Sequence, residues 1–201
     1  MTAKQTFSHR LSIVRGVEIE PHLRHIAHLR ITVFREWPYL YDGSEEYEAK
    51  YLRHYIATPE SCVVLVHAQS QLVGASTALP LEAADTAFQK PFLDHGIDPK
   101  TVFYFGESVL LPEWRGRGIG RAFFEERLKV ARNQGSKIAA FCAVDRPLNH
   151  PLRPADYRPL DPFWRSIDFQ PIPKLKAKLS WRELPSGKET ENTLSFWIRH
   201  L

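Results

Sequence analysis

Three glycines at alternate positions, Gly116, Gly118 and Gly120, most constrain what this 201-residue chain can fold into. They lie between a predicted strand over 102–111 and a predicted amphipathic helix over 119–133. Glycine lets backbone N–H groups approach an anion closely, and a helix N-terminus adds unpaired donors and a positive dipole end. The segment therefore predicts a phosphate-binding loop. A plain tight turn with solvent-facing arginines stays open as the alternative.

Two other phosphate-binding motifs fit this loop less well. A P-loop needs Lys-Ser/Thr after its last glycine, and Arg121 follows Gly120 here. A dinucleotide-binding fold needs Gly-x-Gly-x-x-Gly with an acidic residue about 20 positions later. Asp145 lies 25 residues past Gly120, but the glycine spacing is one position off that pattern. An NAD-type protein is therefore a weak alternative.

Hydrophobic periodicity predicts a mixed α/β chain around one sheet. The unit over 102–144 is a strand, a helix and a strand, so its two strands should be parallel with a right-handed connection. We treat residues 1–201 as one domain. The predicted strands are 11–15, 62–67, 72–79, 102–111, 137–144, 175–182 and 193–199, and the predicted helices are 22–37, 44–58, 83–96, 119–133 and 162–167.

Composition narrows the class of protein further. The net charge of +4 is mild, and no basic run is interleaved with aromatic residues, so nucleic acid is not an expected partner. Cys62 and Cys142 lie in apolar runs, which favours buried thiols over a disulfide. No His or Cys spacing indicates a metal site, and no segment has the length of a membrane span. The expectation is a soluble, cytoplasmic protein without metal.

The segment from Pro112 to Ala122, with Arg115-x-x-Gly118-x-Gly120 inside it, resembles the acyl-CoA loop of the GNAT acetyltransferase superfamily. The order of elements over 11–182 is similar to that fold as well. The resemblance implies a mostly antiparallel central sheet with one splayed parallel strand pair, flanked by helices. It also implies transfer of an acetyl or other short acyl group from acyl-CoA to an amine.

The resemblance implies the residues that hold the donor. Backbone N–H groups of the loop would bind the pyrophosphate, and the pantetheine arm would enter between the splayed strands and pair with the end of strand 102–111. Trp164 could pack on the same arm. The donor-binding candidates are Val109, Leu110, Leu111, Arg115, Gly116, Arg117, Gly118, Ile119, Gly120, Arg121 and Trp164.

Glu107 is the first candidate for the base that deprotonates the amine, because it lies where the splayed strands should open. Strand alternation argues against this role, since the position that the family implies falls at Tyr104 or Gly106 on the other face. A β-bulge would turn Glu107 to that face. Tyr104 is the second candidate. A structural glutamate on a solvated or ion-paired face stays open.

The acid that protonates the leaving thiolate is commonly a tyrosine in this family, on the helix after the second splayed strand. Trp164 takes that place here, and Asp168 takes the place of a following glycine. Tyr157 is the candidate that could supply a hydroxyl instead. The missing tyrosine keeps a rival open: a CoA-binding or regulatory module without turnover.

The acceptor is expected to contact two loops. The aromatic loop that begins at Trp37 lies where the family shapes its acceptor pocket, and a proline-rich loop over 145–157 follows the second splayed strand. A stiff loop of this length favours a small-molecule amine over a peptide. A homodimer is possible. The acceptor-binding candidates are Trp37, Tyr39, Tyr41, His150 and Asp156.

Overall fold

The computed structural model describes residues 8–201, which form a seven-stranded sheet with helices on both faces. The strand order is β1-β2-β3-β4-β5-β7-β6, and β4 and β5 are the parallel pair in an otherwise antiparallel sheet. This confirms the predicted fold class. The strands are β1 (Arg10–Val14), β2 (Cys62–Ala68), β3 (Gln71–Pro80), β4 (Val102–Leu110), β5 (Ile138–Val144), β6 (Gln170–Glu183) and β7 (Lys188–His200), and the helices are α1 (Leu23–Phe34), α2 (Glu45–Ile56), α3 (Thr86–Asp94), α4 (Ile119–Asn133) and α5 (Asp161–Arg165).

The two last strands are longer than the sequence predicts. The predicted strand over 175–182 extends back to Gln170, although Pro171 and Pro173 interrupt its pattern. Proline is tolerated there because β6 is an edge strand of the sheet. The first helix is shorter than the sequence predicts, because a 3₁₀ turn over Gly16–His22 precedes α1 and the helix ends at Phe34.

Each face of the sheet has its own aromatic core. Helices α1, α2 and α3 cover the first face, where Tyr104, Cys142 and Phe196 are buried. Helices α4 and α5 cover the second face, where Phe105 and Phe141 are buried. Neighbouring residues of β4 therefore face different helices, and the direction of each side chain decides which cavity it can reach.

Strands β4 and β5 diverge soon after they begin. They pair through three positions, Val102–Tyr104 with Ile138–Ala140. Beyond that point β4 continues on β3 as far as Leu110, while β5 pairs with β7 as far as Val144. From Phe105 onward, the edge of β4 that faces β5 consequently pairs with no strand within residues 8–201. This is the splayed parallel pair that the family resemblance implies.

Neither cysteine should react with thiol reagents in the native protein. Burial raises the pKa of the Cys62 thiol to about 11 and that of Cys142 to about 12. Because the thiolate is the reactive form, neither should react with Ellman's reagent at pH 8 within minutes. Addition of guanidinium should release both thiols. Rapid reaction of the native protein would contradict this environment.

Candidate active site

The glycine loop connects β4 to α4 in a conformation that needs glycine. After a 3₁₀ turn over Pro112–Trp114, Gly116 and Gly118 adopt φ values of +74° and +81°, and α4 begins at Ile119. A Cβ atom on either glycine would meet no atom within 4 Å. The left-handed backbone, rather than crowding, therefore selects glycine at both positions.

The loop presents a row of backbone donors. Within residues 8–201, the N–H groups of Gly116, Gly118, Ile119 and Gly120 donate to no protein acceptor. The N–H of Arg115 differs, because it donates to the Pro112 carbonyl at 3.1 Å. Unpaired donors at the start of the 15-residue helix α4 also lie at the positive end of its dipole. The arrangement fits an anionic group such as a pyrophosphate.

The arginines of the loop bind the protein itself. Arg115 donates from Nε to the Leu110 carbonyl at 3.1 Å and pairs with Glu36 at 2.9 Å. Arg117 donates to the Glu113 carbonyl, and Arg121 donates to Oγ of Ser166 at 3.3 Å. All three arginines are nevertheless exposed, so the alternative of a tight turn with solvent-facing arginines stays open.

The residues predicted to hold the pantetheine arm lie along the splay. Val109 and Leu110 pair with Ala75 and Gly74 of β3, and the N–H of Leu111 donates to the Val73 carbonyl at 3.0 Å. Trp164 packs against Phe141 and Trp197, with ring centroids 5.0 Å apart in both pairs. Contact of these residues with a donor stays a prediction.

A β-bulge in β4 determines where Glu107 points. Ser108 pairs with Ser76, but the next matched pair joins Phe105 to Ala78, so β4 has one residue more than β3 between them. The extra residue turns Glu107 to the face of Tyr104. Alternation alone would have placed it on the opposite face.

Side chains around the bulge make this geometry tight. The N–H of Glu107 donates to Oγ1 of Thr77 at 3.3 Å. A Cβ on Gly106 would lie 2.1 Å from the Tyr55 hydroxyl and 2.6 Å from the Thr77 hydroxyl. Glycine at 106 is therefore required by close approach, in contrast to the glycines of the loop.

Glu107 belongs to a buried charge cluster with Arg30 and Glu48. It is 7% exposed, and Arg30 pairs with both carboxylates. Oε2 of Glu107 accepts from the Tyr51 hydroxyl at 3.0 Å. Oε1 lies against the Arg30 guanidinium without the geometry of a hydrogen bond, so this buried oxygen has an ion-pair partner but no hydrogen-bond donor among the described residues.

The Arg30 guanidinium and the Tyr51 hydroxyl both stay protonated in this cluster. Burial lowers the pKa of Arg30, but Glu107, Tyr51 and Glu48 raise it more strongly, to well above its ordinary value. Burial and the Glu107 carboxylate raise the pKa of Tyr51 well above its usual range. Tyr51 is therefore a hydrogen-bond donor to Glu107 at neutral pH.

Glu107 lines a cavity of about 170 Å³ at the splay, which we call the Glu107 cavity. Strands β4 and β5 contribute Tyr104, Gly106, Glu107 and Cys142. Half of the lining residues are aromatic. The aromatic residues are Phe34, Tyr39, Tyr41, Tyr47, Tyr51, Phe88, Tyr104 and Trp181.

The sequence-predicted residues divide between this cavity and a second cluster. Tyr39, Tyr41 and Tyr104 line the cavity, and the Tyr104 hydroxyl lies 3.2 Å from Sγ of Cys142. Burial and Cys142 raise the pKa of Tyr104 well above its usual range, which disfavours it as a base.

Trp37, His150 and Tyr157 form the second cluster. Their ring centroids lie 4.9 Å apart for Trp37 and His150 and 5.9 Å apart for Trp37 and Tyr157. None of the three lines the Glu107 cavity, and Asp156 is exposed outside it. The structure does not bring these four residues together with Glu107.

The helical residues at and next to the cavity were not predicted from the sequence. Arg30 interrupts the apolar face of α1, four positions after Ile26, and this buried charge was a readable signal. Tyr47, Tyr51 and Tyr55 recur every four residues on α2 and so share one face of that helix.

The described part of the chain has no candidate metal site and no candidate membrane-spanning helix. Within 8–201, no group of three or more His, Cys, Asp or Glu residues is placed to hold a metal ion. No helix in the same range is long and apolar enough to cross a membrane.

Residues 28–155, more than half of the chain, match the model of the acetyltransferase (GNAT) family. This chain belongs to the GNAT acetyltransferase family. The matched range contains the glycine loop, the splayed strands and Glu107, as well as Arg30 and α2.

Solved structures share the fold at low sequence identity. A ribosomal-protein-alanine N-acetyltransferase from Brucella melitensis is 15% identical, with a TM-score of 0.60 over 94% of this chain and 99% of that one. An acetyltransferase from Thermus thermophilus is 15% identical, with a TM-score of 0.57 over 96% and 97%. A Salmonella typhimurium protein solved with its cofactor acetyl-CoA is 12% identical, with a TM-score of 0.57 over 95% and 94%. No curated protein sequence matches the chain.

Gly118→Val should abolish binding of acetyl-CoA. A side chain at φ +81° costs about 1–2 kcal/mol, so the loop should abandon the conformation that aligns its N–H groups. Gly135→Val is the matched control, because Gly135 has φ +75° and equally open surroundings at the other end of α4. Calorimetry should show loss of affinity in Gly118→Val alone. Equal affinity in both variants would remove the loop from donor binding.

Proposed function

We propose that this GNAT protein transfers an acetyl group from acetyl-CoA to the primary amine of a small molecule bound in the Glu107 cavity. One observation carries the proposal. The bulge in β4 directs the buried Glu107 carboxylate toward a cavity at the point where β4 and β5 separate. The loop with unpaired N–H donors follows the end of the same strand.

The donor site fits acetyl-CoA. The unpaired N–H groups of Gly116, Gly118, Ile119 and Gly120 match the negative charge of a pyrophosphate, and the unpaired edge of β4 can pair with an extended amide-bearing arm. The similar fold of the Salmonella protein with its cofactor acetyl-CoA supports the same choice of donor. Acetyl-CoA supplies the reactive thioester.

The transfer needs a base that deprotonates the amine and a proton for the leaving thiolate. The acceptor enters as an ammonium ion and gives one proton to Glu107. The neutral nitrogen attacks the thioester carbonyl carbon, so that an N–C bond forms and the C–S bond breaks. As the amide forms, the nitrogen loses its second proton, and the leaving thiolate gains one proton in exchange, directly or through a proton donor, and departs as CoA thiol; Glu107 returns its proton to water.

Glu107 is placed for the first of these steps. Its carboxylate lines the cavity at the splay and is the acidic group of that cavity that lies on β4. Tyr51 donates to Oε2 and Arg30 pairs with Oε1, so these two residues fix the orientation of the carboxylate. Tyr157 stays a prediction as the proton donor to the thiolate; burial raises its pKa and keeps its hydroxyl protonated.

A second candidate function is a CoA-binding module without turnover. The observation that favours it is Trp164, which replaces the expected tyrosine and packs in the aromatic core with Phe141 and Trp197. Release of CoA thiol in the presence of amines separates the two functions. Tight binding of acetyl-CoA without any amine-dependent thiol release would support the module.

Glu107→Gln should lower kcat/KM for the amine by about 10²-fold or more at pH 6 to 7, the usual contribution of a general base. The variant depends on amine that is already deprotonated, so the deficit should shrink as pH rises. Affinity for acetyl-CoA should not change. Rate profiles from pH 6 to 10 measure this effect. A constant ratio of wild-type to variant rates across that range would exclude Glu107 as the base.

A further inference from the structure

The walls of the Glu107 cavity indicate which acceptor it takes, and this inference rests on the proposed function. The volume of the cavity is smaller than the roughly 300 Å³ at which drug-sized ligand sites begin. Its aromatic side chains come from α1, α2, α3, β4, β6 and the loop that holds Tyr39 and Tyr41. Such walls favour a small, flat, apolar body over a sugar or a polyamine.

The charges of the cavity are arranged for a cation. Glu107 and Asp85 line it, and Glu48 lies behind Arg30. Arg30 is the single Lys, Arg or His among the described lining residues, and it already pairs with two carboxylates. A substrate carboxylate would find no free cation here, whereas an ammonium group meets carboxylates and aromatic faces.

We propose that the acceptor is a monocationic primary amine with an attached aromatic ring and no carboxylate, the arylalkylamine class. The ring packs among the aromatic side chains, and the ammonium group faces the Glu107 carboxylate. Asp85 stands at the entrance beside Tyr47, which is 55% exposed, and adds negative charge where a cation enters.

Three amines test this class by thiol release: 2-phenylethylamine, phenylalanine, which adds a carboxylate, and ethylamine, which lacks the ring. The kcat/KM for 2-phenylethylamine should exceed that of each other amine by about tenfold or more, as expected for burying an unpaired charge or losing a ring contact. Equal or faster turnover of phenylalanine or ethylamine overturns the class but leaves the function standing. No transfer to any amine, with acetyl-CoA bound, overturns the proposed function itself.

Asp85→Asn provides a variant that should keep the fold. Oδ1 of Asp85 caps α3 by accepting from the Ala87 N–H at 2.8 Å, and asparagine caps as well as aspartate. The variant should raise KM for 2-phenylethylamine by about threefold to tenfold at low salt, while KM for acetyl-CoA stays constant. An unchanged KM for the amine would contradict the role of Asp85 in attracting a cation.

A separate observation concerns Arg127 of α4, which is 1% exposed on the second face of the sheet. Its Nη1 donates to the carbonyls of Thr77 and Glu107 at 3.2 and 3.3 Å, and its Nη2 donates to Oγ of Ser108 at 2.8 Å. Among the described residues it forms no ion pair with a carboxylate. Burial lowers its pKa to about 9.

Those contacts coincide with the bulge. A bulge interrupts the ladder and leaves backbone groups unpaired, and buried carbonyls need a donor. Thr77 stands opposite the extra residue, and Glu107 is in the bulged segment. The side chain of Thr77 satisfies the N–H of Glu107, while Arg127 satisfies the two carbonyls.

We infer that Arg127 is a positioning residue that holds the β4 bulge and so keeps Glu107 turned into the cavity. It acts from the opposite face of the sheet and touches neither the acceptor nor the carboxylate of Glu107. A purely structural arginine would affect stability, whereas a positioning residue must also affect the step that Glu107 performs.

A double-mutant cycle with Glu107→Gln tests this role. Arg127→Met should lower kcat at pH 7 by about tenfold or more, reproduce the pH dependence of Glu107→Gln, and leave the acetyl-CoA Kd within about twofold. In the Glu107→Gln background it should have little further effect, because both changes disable one step. Arg132→Met, an exposed arginine of the same helix, is the control.

If Arg127→Met does not fold, Arg127→Lys and Ser108→Ala replace it, since each removes part of the contact network. Rate losses that multiply in the double variant, or a wild-type pH profile in a folded Arg127 variant, would overturn the positioning role.

Discussion

One extra residue in β4 sets the geometry of the whole candidate site. Without it, Glu107 would point toward α4 and the second core, and the cavity at the splay would be lined by aromatic groups and Arg30 with a smaller acidic component. The bulge is held from both sides, by the Thr77 hydroxyl and by Arg127. The face of the sheet that carries the Glu107 cavity therefore depends on a side chain of the other face.

The charge cluster around Arg30 places three ionisable side chains in a region with little water. Removing one partner of a buried ion pair typically costs about 3–5 kcal/mol, because a charge is left uncompensated. The charge of Arg30 is stabilised by two carboxylates and by the aromatic faces of Phe34 and Tyr51. The ring centroids of these two residues lie 5.1 and 4.2 Å from its guanidinium carbon. An arrangement this demanding is typical of a functional site, where perturbed titration serves chemistry.

The sequence predicted the parts of this protein that local patterns encode. Glycine spacing gave the loop, and hydrophobic periodicity gave the helices and most strand ends. The direction of Glu107 was beyond such patterns, because the bulge depends on Thr77 and Arg127, which lie 30 and 20 residues away in sequence. Alternating lysines and two prolines concealed the length of β6.

Long-range packing also explains which predicted residues lie apart from the Glu107 cavity and which cavity residues the sequence did not reveal. Trp37, Tyr39 and Tyr41 share one loop, but Arg146 donates to the carbonyls of Pro38 and Tyr39, and Trp37 packs away from the cavity against His150. Arg30 reaches Glu107 across 77 residues of sequence. No periodic pattern in a single chain contains that contact.

A crystal structure of the protein with acetyl-CoA tests the account most directly. We expect the pyrophosphate oxygens to accept hydrogen bonds from the N–H groups between Gly116 and Gly120. The thioester should lie between β4 and β5 at the mouth of the Glu107 cavity, with the Glu107 carboxylate facing it. A pyrophosphate bound elsewhere, or a Glu107 side chain turned toward α4, would contradict it.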